Sequence, residues 1–413
     1  MGVRKGQLEG HLLVLVTLGL VAFGLVMVFS ATSAAATIGN GDPVTYLQRQ
    51  AVYAVFGVLL LIGASRLDYR ALPALAPPLL LVSLALCALV LVLGAPVNGA
   101  RRWLTLGSVS LQPSELAKLA LALWAAAYLA RRAAPQRLAE LARPVGLLAG
   151  LFCALILLEP DLGTVIVIVT MLSAMLLVAG TPVSTLARAG TVVVGLGLLA
   201  IWLEPYRRAR ILSFLDPWQD PEGAGFQTVQ ALIGLGSGGI FGDGLGEGIA
   251  KVNYLPEAHT DMILAVVGEE LGLVGTAGVI LAYAVFAYAG LRVALAARDA
   301  FGKRLAAGLV TMICGQAAIN LAAVLGLAPL TGIPLPFVSY GGSSLVVALT
   351  SVGILLNIAG NHGARKPAEV PDRGRGHSRT RAAGARGRGG AARARRDGDV
   401  RRVAGSRRGA ARS

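Results

Sequence analysis

The sequence predicts an all-α polytopic membrane protein of about ten transmembrane helices, with a long extracytoplasmic loop between helices 7 and 8. Three observations carry this. Of 413 residues, 55% are hydrophobic and only 14% charged, against roughly 25% charged in soluble domains. The mean hydropathy is +0.69. Apolar runs long enough to cross a hydrocarbon core of about 30 Å recur along the chain.

Taken in order, the runs fall near residues 11–34, 47–65, 73–94, 113–130, 144–159, 163–180, 188–204, 262–290, 305–327 and 343–361. Only Glu159-Pro-Asp-Leu-Gly163 separates the fifth from the sixth, so nine or eleven spans also fit. The first run is too long for a signal peptide and lacks a convincing cleavage site. Three regions follow: a cytoplasmic N-terminus (1–10), a transmembrane domain (11–361) containing the large loop 205–261, and a basic tail (362–413). From Asn361 onward the chain holds 16 Lys or Arg and 4 Asp or Glu, hence +12 of the net +15. The basicity therefore belongs to a tail poor in large apolar residues, which is expected to be disordered. Such a tail suits topology setting and attraction to anionic lipid; nucleic acid is not an expected partner. Cys87, Cys153 and Cys314 sit in apolar runs without paired spacing and read as small hydrophobes.

Lys and Arg bias in short loops sets orientation. With the N-terminus inside, the inner segments hold 13 Lys or Arg before the tail and the outer segments 7. Both termini are then cytoplasmic, and the polar segments face outward. The first such segment runs from Asn98-Gly-Ala-Arg-Arg-Trp-Leu104 to Gln112-Pro-Ser-Glu-Leu-Ala-Lys118. Pro113 suits a first helical turn and puts Glu115 and Lys118 on one face. A self-satisfied ion pair competes there with a functional reading. The second, about 205–261, is apolar enough to be structured, with membrane-embedded half-helices, and includes a Gly-rich stretch from Ile233 to Gly246. No flanking strands support a P-loop or a dinucleotide fold; tight turns and close packing explain the glycines better, and phosphate cradling stays open. The third, Pro329–Ser344, cannot be a continuous helix. Such backbone persists at membrane depth only when buried in protein or lining a cavity.

The polar stretch Tyr254-Leu-Pro-Glu-Ala-His-Thr-Asp261 leads into an apolar helix carrying Glu269 and Glu270. Intramembrane ionisable residues mark functional sites by default, although Thr260 and Asp261 are also good caps. Asp261 at a membrane–water boundary could act as a general base, since partial desolvation would raise a carboxylate toward working pH. Arg101, Arg102, Lys118, Arg207, Arg208, Arg210 and Lys251 could pair with a diphosphate leaving group. On a helix turning about 100° per residue, Glu269 would lie about 80° and Glu270 about 180° from the Asp261 face. The two glutamates are then structural or gating residues.

The separated motifs Gly99-Ala-Arg-Arg-Trp103, Gln112-Pro-Ser-Glu115 with Lys118, Pro160-Asp-Leu-Gly-Thr164, Ala224-Gly-Phe-Gln227, Gly244-Leu-Gly246, Tyr254–Asp261, Gly268-Glu-Glu-Leu-Gly272 and Pro334–Ser344 occur in one order over residues 11–361. In these the chain resembles the SEDS family of bacterial cell-wall polymerases (shape, elongation, division and sporulation). Glu257-Ala-His-Thr-Asp261 and Leu330-Thr-Gly-Ile-Pro-Leu-Pro-Phe337 resemble its division and sporulation branch more than its elongation branch. Met262, Gly248 and Ala250 depart from the usual pattern.

The resemblance implies a peptidoglycan glycosyltransferase in the bacterial cytoplasmic membrane, acting at the division septum with lipid II as donor and acceptor. It implies Asp261 as catalytic base and Lys118, Arg101 and Arg102 as diphosphate ligands, with room for a divalent cation (Mg2+ or Mn2+) but no dedicated metal site. Glu115, Asp161, Glu257 and His259 would shape the site, Ser339, Gly341 and Gly342 would line it, and Trp103 and Lys251 complete the substrate-binding set. A class B penicillin-binding transpeptidase and other division-complex membrane proteins are the implied partners. Two rival classes remain: a lipid II transporter, disfavoured because the ionisable residues gather outward rather than at the midplane, and a non-catalytic division scaffold.

Overall fold

The computed structural model describes residues 7–37, 43–97, 100–107, 109–223, 225–248 and 258–360. Lys251, Glu257 and the basic tail lie outside them. The chain begins with α1 (Gln7–Thr37), α2 (Pro43–Arg66) and α3 (Leu72–Leu93), and a three-stranded antiparallel sheet follows. Its strands are β1 (Ala95–Val97), β2 (Ala100–Leu106) and β3 (Val109–Leu111), with Ala95 opposite Trp103 and Leu104 opposite Leu111. The sequence places this stretch in a polar outer segment and predicts no strand there.

Next come α4 (Pro113–Arg131), the short α5 (Leu138–Leu141), α6 (Leu147–Leu158), α7 (Leu162–Ala179) and α8 (Val183–Leu203). The predicted 205–261 loop contains α9 (Pro205–Leu215) and α10 (Phe226–Ser237), so its described part is structured, as its apolar content implied. The last three helices are α11 (Ile263–Ala296), α12 (Ala300–Val324) and α13 (Gly342–Gly360).

All ten predicted runs are helical. Among the described residues nine helical segments are long and apolar enough to cross a membrane. The remaining run, α4, has 19 residues, about 28 Å at 1.5 Å per residue, but Glu115 and Lys118 lower its hydropathy. The protein is therefore a polytopic helical membrane protein. Helix α12 packs on α4, α7 and α11, and α13 on α2; these contacts form the core. Helix α8 lies apart, with Thr185 its sole buried residue.

One helix expectation needs correction. The apolar run after Asp261 predicts one helix over 262–290, but α11 breaks at Gly272, where φ is +65° and ψ −157°. A side chain is excluded there twice over: the backbone region favours glycine, and a Cβ would lie 2.5 Å from Gly242 N and Ile240 O. The Gly-rich segment fills the break. Asp243 N donates to the Glu269 carbonyl and Gly244 N to that of Glu270, both at 3.0 Å. Leu273 N and Val274 N donate to the Gly239 and Ile240 carbonyls at 2.9 and 3.1 Å. Backbone groups freed at membrane depth must find protein partners. These glycines supply them by close backbone approach, which leaves those amides engaged with protein rather than phosphate.

The Pro329–Ser344 segment is non-helical up to α13, and it is buried in protein as required. Asn320 Nδ2 donates to the Ile333 carbonyl at 2.9 Å, Gln316 Nε2 to Pro334 at 2.9 Å, and Gln50 Nε2 to Ser339 at 3.1 Å. The Tyr283 hydroxyl donates to Pro336. Side chains of α2, α11 and α12 thus hold an irregular strap across the bundle.

Candidate active site

Asp261 lies in the turn before α11, not on the helix itself, so the helical-wheel offsets to Glu269 and Glu270 do not apply. Those glutamates are separated from it by burial and by their neighbours. Ser30 Oγ of α1 donates to both Glu270 oxygens at 2.6 and 2.7 Å, while Glu269 Oε2 lies 2.8 Å from the Cβ position of Gly248 in the Gly-rich segment.

The Asp261 carbonyl accepts from Asn320 Nδ2 at 2.8 Å. The same amide holds Ile333, so α12 ties the Asp261 turn to the strap. Thr260 Oγ1 donates to Asp261 Oδ1 at 3.2 Å. His259 braces the turn through its backbone and ring: its carbonyl accepts from Tyr340 N at 2.9 Å, and its ring packs edge-on to Tyr46 at 5.1 Å. Tyr340 closes this aromatic cluster, and burial raises its hydroxyl pKa above the usual tyrosine value.

What faces Asp261 is set by Gly332, whose φ of +71° again favours glycine. A Cβ built there would lie 3.9 Å from Asp261 Oδ2, 3.8 Å from Arg102 Nη1 and 3.9 Å from Arg210 Nη1. One carboxylate and two guanidiniums, each half-buried, therefore converge on a single point. Arg102 of β2 is anchored through its Nε, which donates to the Glu159 carbonyl at 3.0 Å, and through Nη2, which donates to Pro160. Arg210 of α9 donates from Nη1 to the Leu330 carbonyl at 3.1 Å. Sequence reading counted Arg210 among seven candidate cations without placing it at the site. Nothing local could have singled it out, because its neighbours at the site, Asp261, Arg102 and Gly332, are 51, 108 and 122 positions away along the chain.

The remaining predicted residues divide by exposure. Arg101 is exposed on β2, its Nη1 against the Leu91 and Val92 carbonyls at 3.4 Å, and Trp103 is half-buried in the same strand. Lys118 is 1% and Glu115 3% exposed. Lys118 Nζ meets Glu115 Oε1 at 2.8 Å and also donates to Gln316 Oε1. They line a cavity of about 10 Å³, room for one water. Asp161 is the buried N-cap of α7, accepting from Thr164 N at 3.0 Å, Thr164 Oγ1 at 2.8 Å and Gln112 Nε2 at 3.3 Å. Ser339 is buried inside the strap, where its Oγ accepts from Leu335 N at 2.8 Å. Gly341 N donates to Gln50 Oε1 at 3.4 Å, and Gly342 packs against the Tyr53 ring, 2.5 Å from its Cβ position. The structure thus gives Lys118, Asp161, Ser339 and Gly342 clear internal duties.

A carboxylate facing two guanidiniums has the groups that general-base displacement of an anionic leaving group needs. The profile of a family described as cell cycle proteins, FtsW/RodA/SpoVE, matches residues 10–363. The chain belongs to this family. Among FtsW/RodA/SpoVE proteins, it is 43% identical to a probable peptidoglycan glycosyltransferase FtsW of Geobacter metallireducens, over 84% of this chain and 93% of that one. It is 39% identical to the stage V sporulation protein E of Bacillus subtilis, over 84% and 96%. A solved structure described as structural coordination of polymerization and crosslinking by a peptidoglycan synthase complex superposes with TM-score 0.72 at 35% identity, covering 86% and 98%. The rod shape determining protein RodA of Thermus thermophilus gives 0.62 at 32%, covering 86% and 97%. The SEDS resemblance carried by the motifs is borne out.

Proposed function

We infer that this chain is a peptidoglycan glycosyltransferase that polymerises lipid II on the outer face of the bacterial cytoplasmic membrane, at the division septum. The observation that carries this reading is the convergence of Asp261, Arg102 and Arg210 about Gly332, in a chain whose relatives are named for that activity. Asp261 takes the proton from the GlcNAc 4-hydroxyl of the acceptor. The oxygen attacks the MurNAc anomeric carbon of the donor, the bond to undecaprenyl diphosphate breaks, and inversion leaves a β-1,4 link. Arg102 and Arg210 neutralise charge developing on the departing diphosphate, where guanidinium forks suit phosphate oxygens. Arg101 and Trp103 of β2, together with Lys251 and Glu257 that the family resemblance implies, complete the substrate-binding set, while Glu115, Lys118, Asp161, His259 and the strap act by holding α4, α7 and α12 beneath the site.

Among the described residues no three His, Cys, Asp or Glu side chains are placed to hold a metal ion. A Mg2+ or Mn2+ ion that takes part would be carried mainly by diphosphate oxygens. Both termini lie in the cytoplasm, and the basic tail meets anionic lipid there. The partner is a class B penicillin-binding transpeptidase, within a larger division complex.

The test is lipid II polymerisation by purified full-length protein carrying Asp261→Asn. Loss of a general base costs about 10²–10⁴-fold, so glycan bands should fall by at least that lower figure at normal protein yield. Glycan synthesis at the parental rate would sink the assignment. Translocation of lipid II into vesicles without polymerisation would favour a transporter.

A further inference from the structure

Two carboxylates share the turn between α6 and α7, and their surroundings are opposite. Asp161 accepts three hydrogen bonds. Glu159 is 0% exposed, and neither carboxylate oxygen has a hydrogen-bond partner among the described residues. A buried charge without partners is strongly disfavoured, so this carboxyl is better accommodated neutral. Yet a guanidinium is at hand. Arg102 lies against the same turn but gives its Nε and Nη2 protons to the backbone carbonyls of Glu159 and Pro160. That arrangement points its third nitrogen, Nη1, at the place shared with Asp261 and Arg210.

We propose that Glu159 is a positioning residue that acts as the uncharged acid: uncharged, it leaves the Arg102 fork on the two carbonyls with Nη1 facing Asp261; charged, it draws the fork back into the turn. The driving force for the second state is bidentate Arg–carboxylate pairing, which is stronger than a bond to a neutral carbonyl. The proposal rests on the diphosphate role given to Arg102 above.

The titratable and charged groups that face Glu159 are Asp161 on its own turn, Arg102 on β2 and Cys87 on α3. Burial and the Asp161 charge push the Glu159 carboxyl up, Arg102 pulls it down, and the balance lies at about 8. The uncharged form therefore dominates below that pH and is lost above it.

The experiment uses purified full-length protein and lipid II, with polymerisation followed from pH 7 to 9. The parent rate should fall about tenfold between the two, following the neutral fraction of a group titrating near 8. Glu159→Gln, which keeps the neutral shape, should fall less than about twofold. Asp161→Asn retains the helix cap and removes one negative neighbour, so its alkaline fall should begin at lower pH than the parent's. An infrared carbonyl band of a protonated carboxyl, present in the parent at pH 7 and absent from Glu159→Gln, reports the uncharged state without any turnover. An unchanged alkaline fall in Glu159→Gln, or absence of that band, overturns the proposal, and the Asp161→Asn shift decides it should Glu159→Gln fail to fold. No polymerisation by the parent at any pH, with the band present, overturns the glycosyltransferase reading and this role for Arg102 with it.

Discussion

Two clusters of charge lie within the helical bundle, and they are built on opposite principles. At Glu115 and Lys118 a carboxylate and an ammonium are almost wholly buried, pair at 2.8 Å, and use Gln316 to complete the lysine's contacts. At Asp261, Arg102 and Arg210 the charges stay half-buried, and each arginine is held by backbone carbonyls. A carbonyl takes a hydrogen bond without cancelling charge, so these anchors fix each guanidinium without neutralising it. What holds the cations, an opposite charge in one cluster and backbone carbonyls in the other, separates the two. Anchoring on carbonyls also fixes the cations in advance, which is what electrostatic stabilisation of a leaving group requires.

Substitutions should affect the two clusters differently. Lys118→Ala should have the largest effect on folding, because it leaves Glu115 buried without its partner; breaking such a pair costs about 3–5 kcal/mol. A thermal melt in detergent should show it, and Glu115→Leu combined with Lys118→Met should restore most of the loss. Failure of the double variant to recover, with polymerisation lost at parental stability, would move Lys118 into the chemistry. Arg210→Lys should leave the melt unchanged while raising KM for lipid II about tenfold, or about 1.4 kcal/mol, since an ammonium lacks the planar fork that matches phosphate oxygens. A parental KM would remove Arg210. Gly332→Ala should cost about 1–2 kcal/mol of stability for the left-handed backbone. Its methyl has ordinary contact distances to all three charged groups, so slower polymerisation than the melt explains would locate substrate at that point.

The helices were legible because hydropathy over some twenty residues is a strong local signal, and helix positions 113–130 and 163–180 were close to what the structure shows. The sheet at 95–111 was not, since strands of 3 and 7 residues bearing Arg101 and Arg102 read as a polar loop. Nor was the break at Gly272, which sits in an apolar run and is sustained by backbone partners from the Gly-rich segment some thirty positions earlier in the chain. Asp261 and Arg102 could be named from motifs. Arg210 could be suspected as a cation but not placed, and Lys118, equally cationic in sequence, is internally paired. Which cation meets Asp261 depends on the folding of α9 and β2 against the strap, and that is tertiary information.

In the proposed mechanism, charge at Asp261 performs chemistry while charge at Glu115 and Lys118 maintains the fold. The most direct test measures melting temperature and lipid II polymerisation on the same preparations of Asp261→Asn and of the Glu115→Leu/Lys118→Met double variant. Asp261→Asn should melt like the parent and lose at least about 10²-fold in glycan synthesis, while the double variant melts near the parent and retains polymerisation. Glycan synthesis at the parental rate by Asp261→Asn together with none by a well-folded double variant would contradict this mechanism.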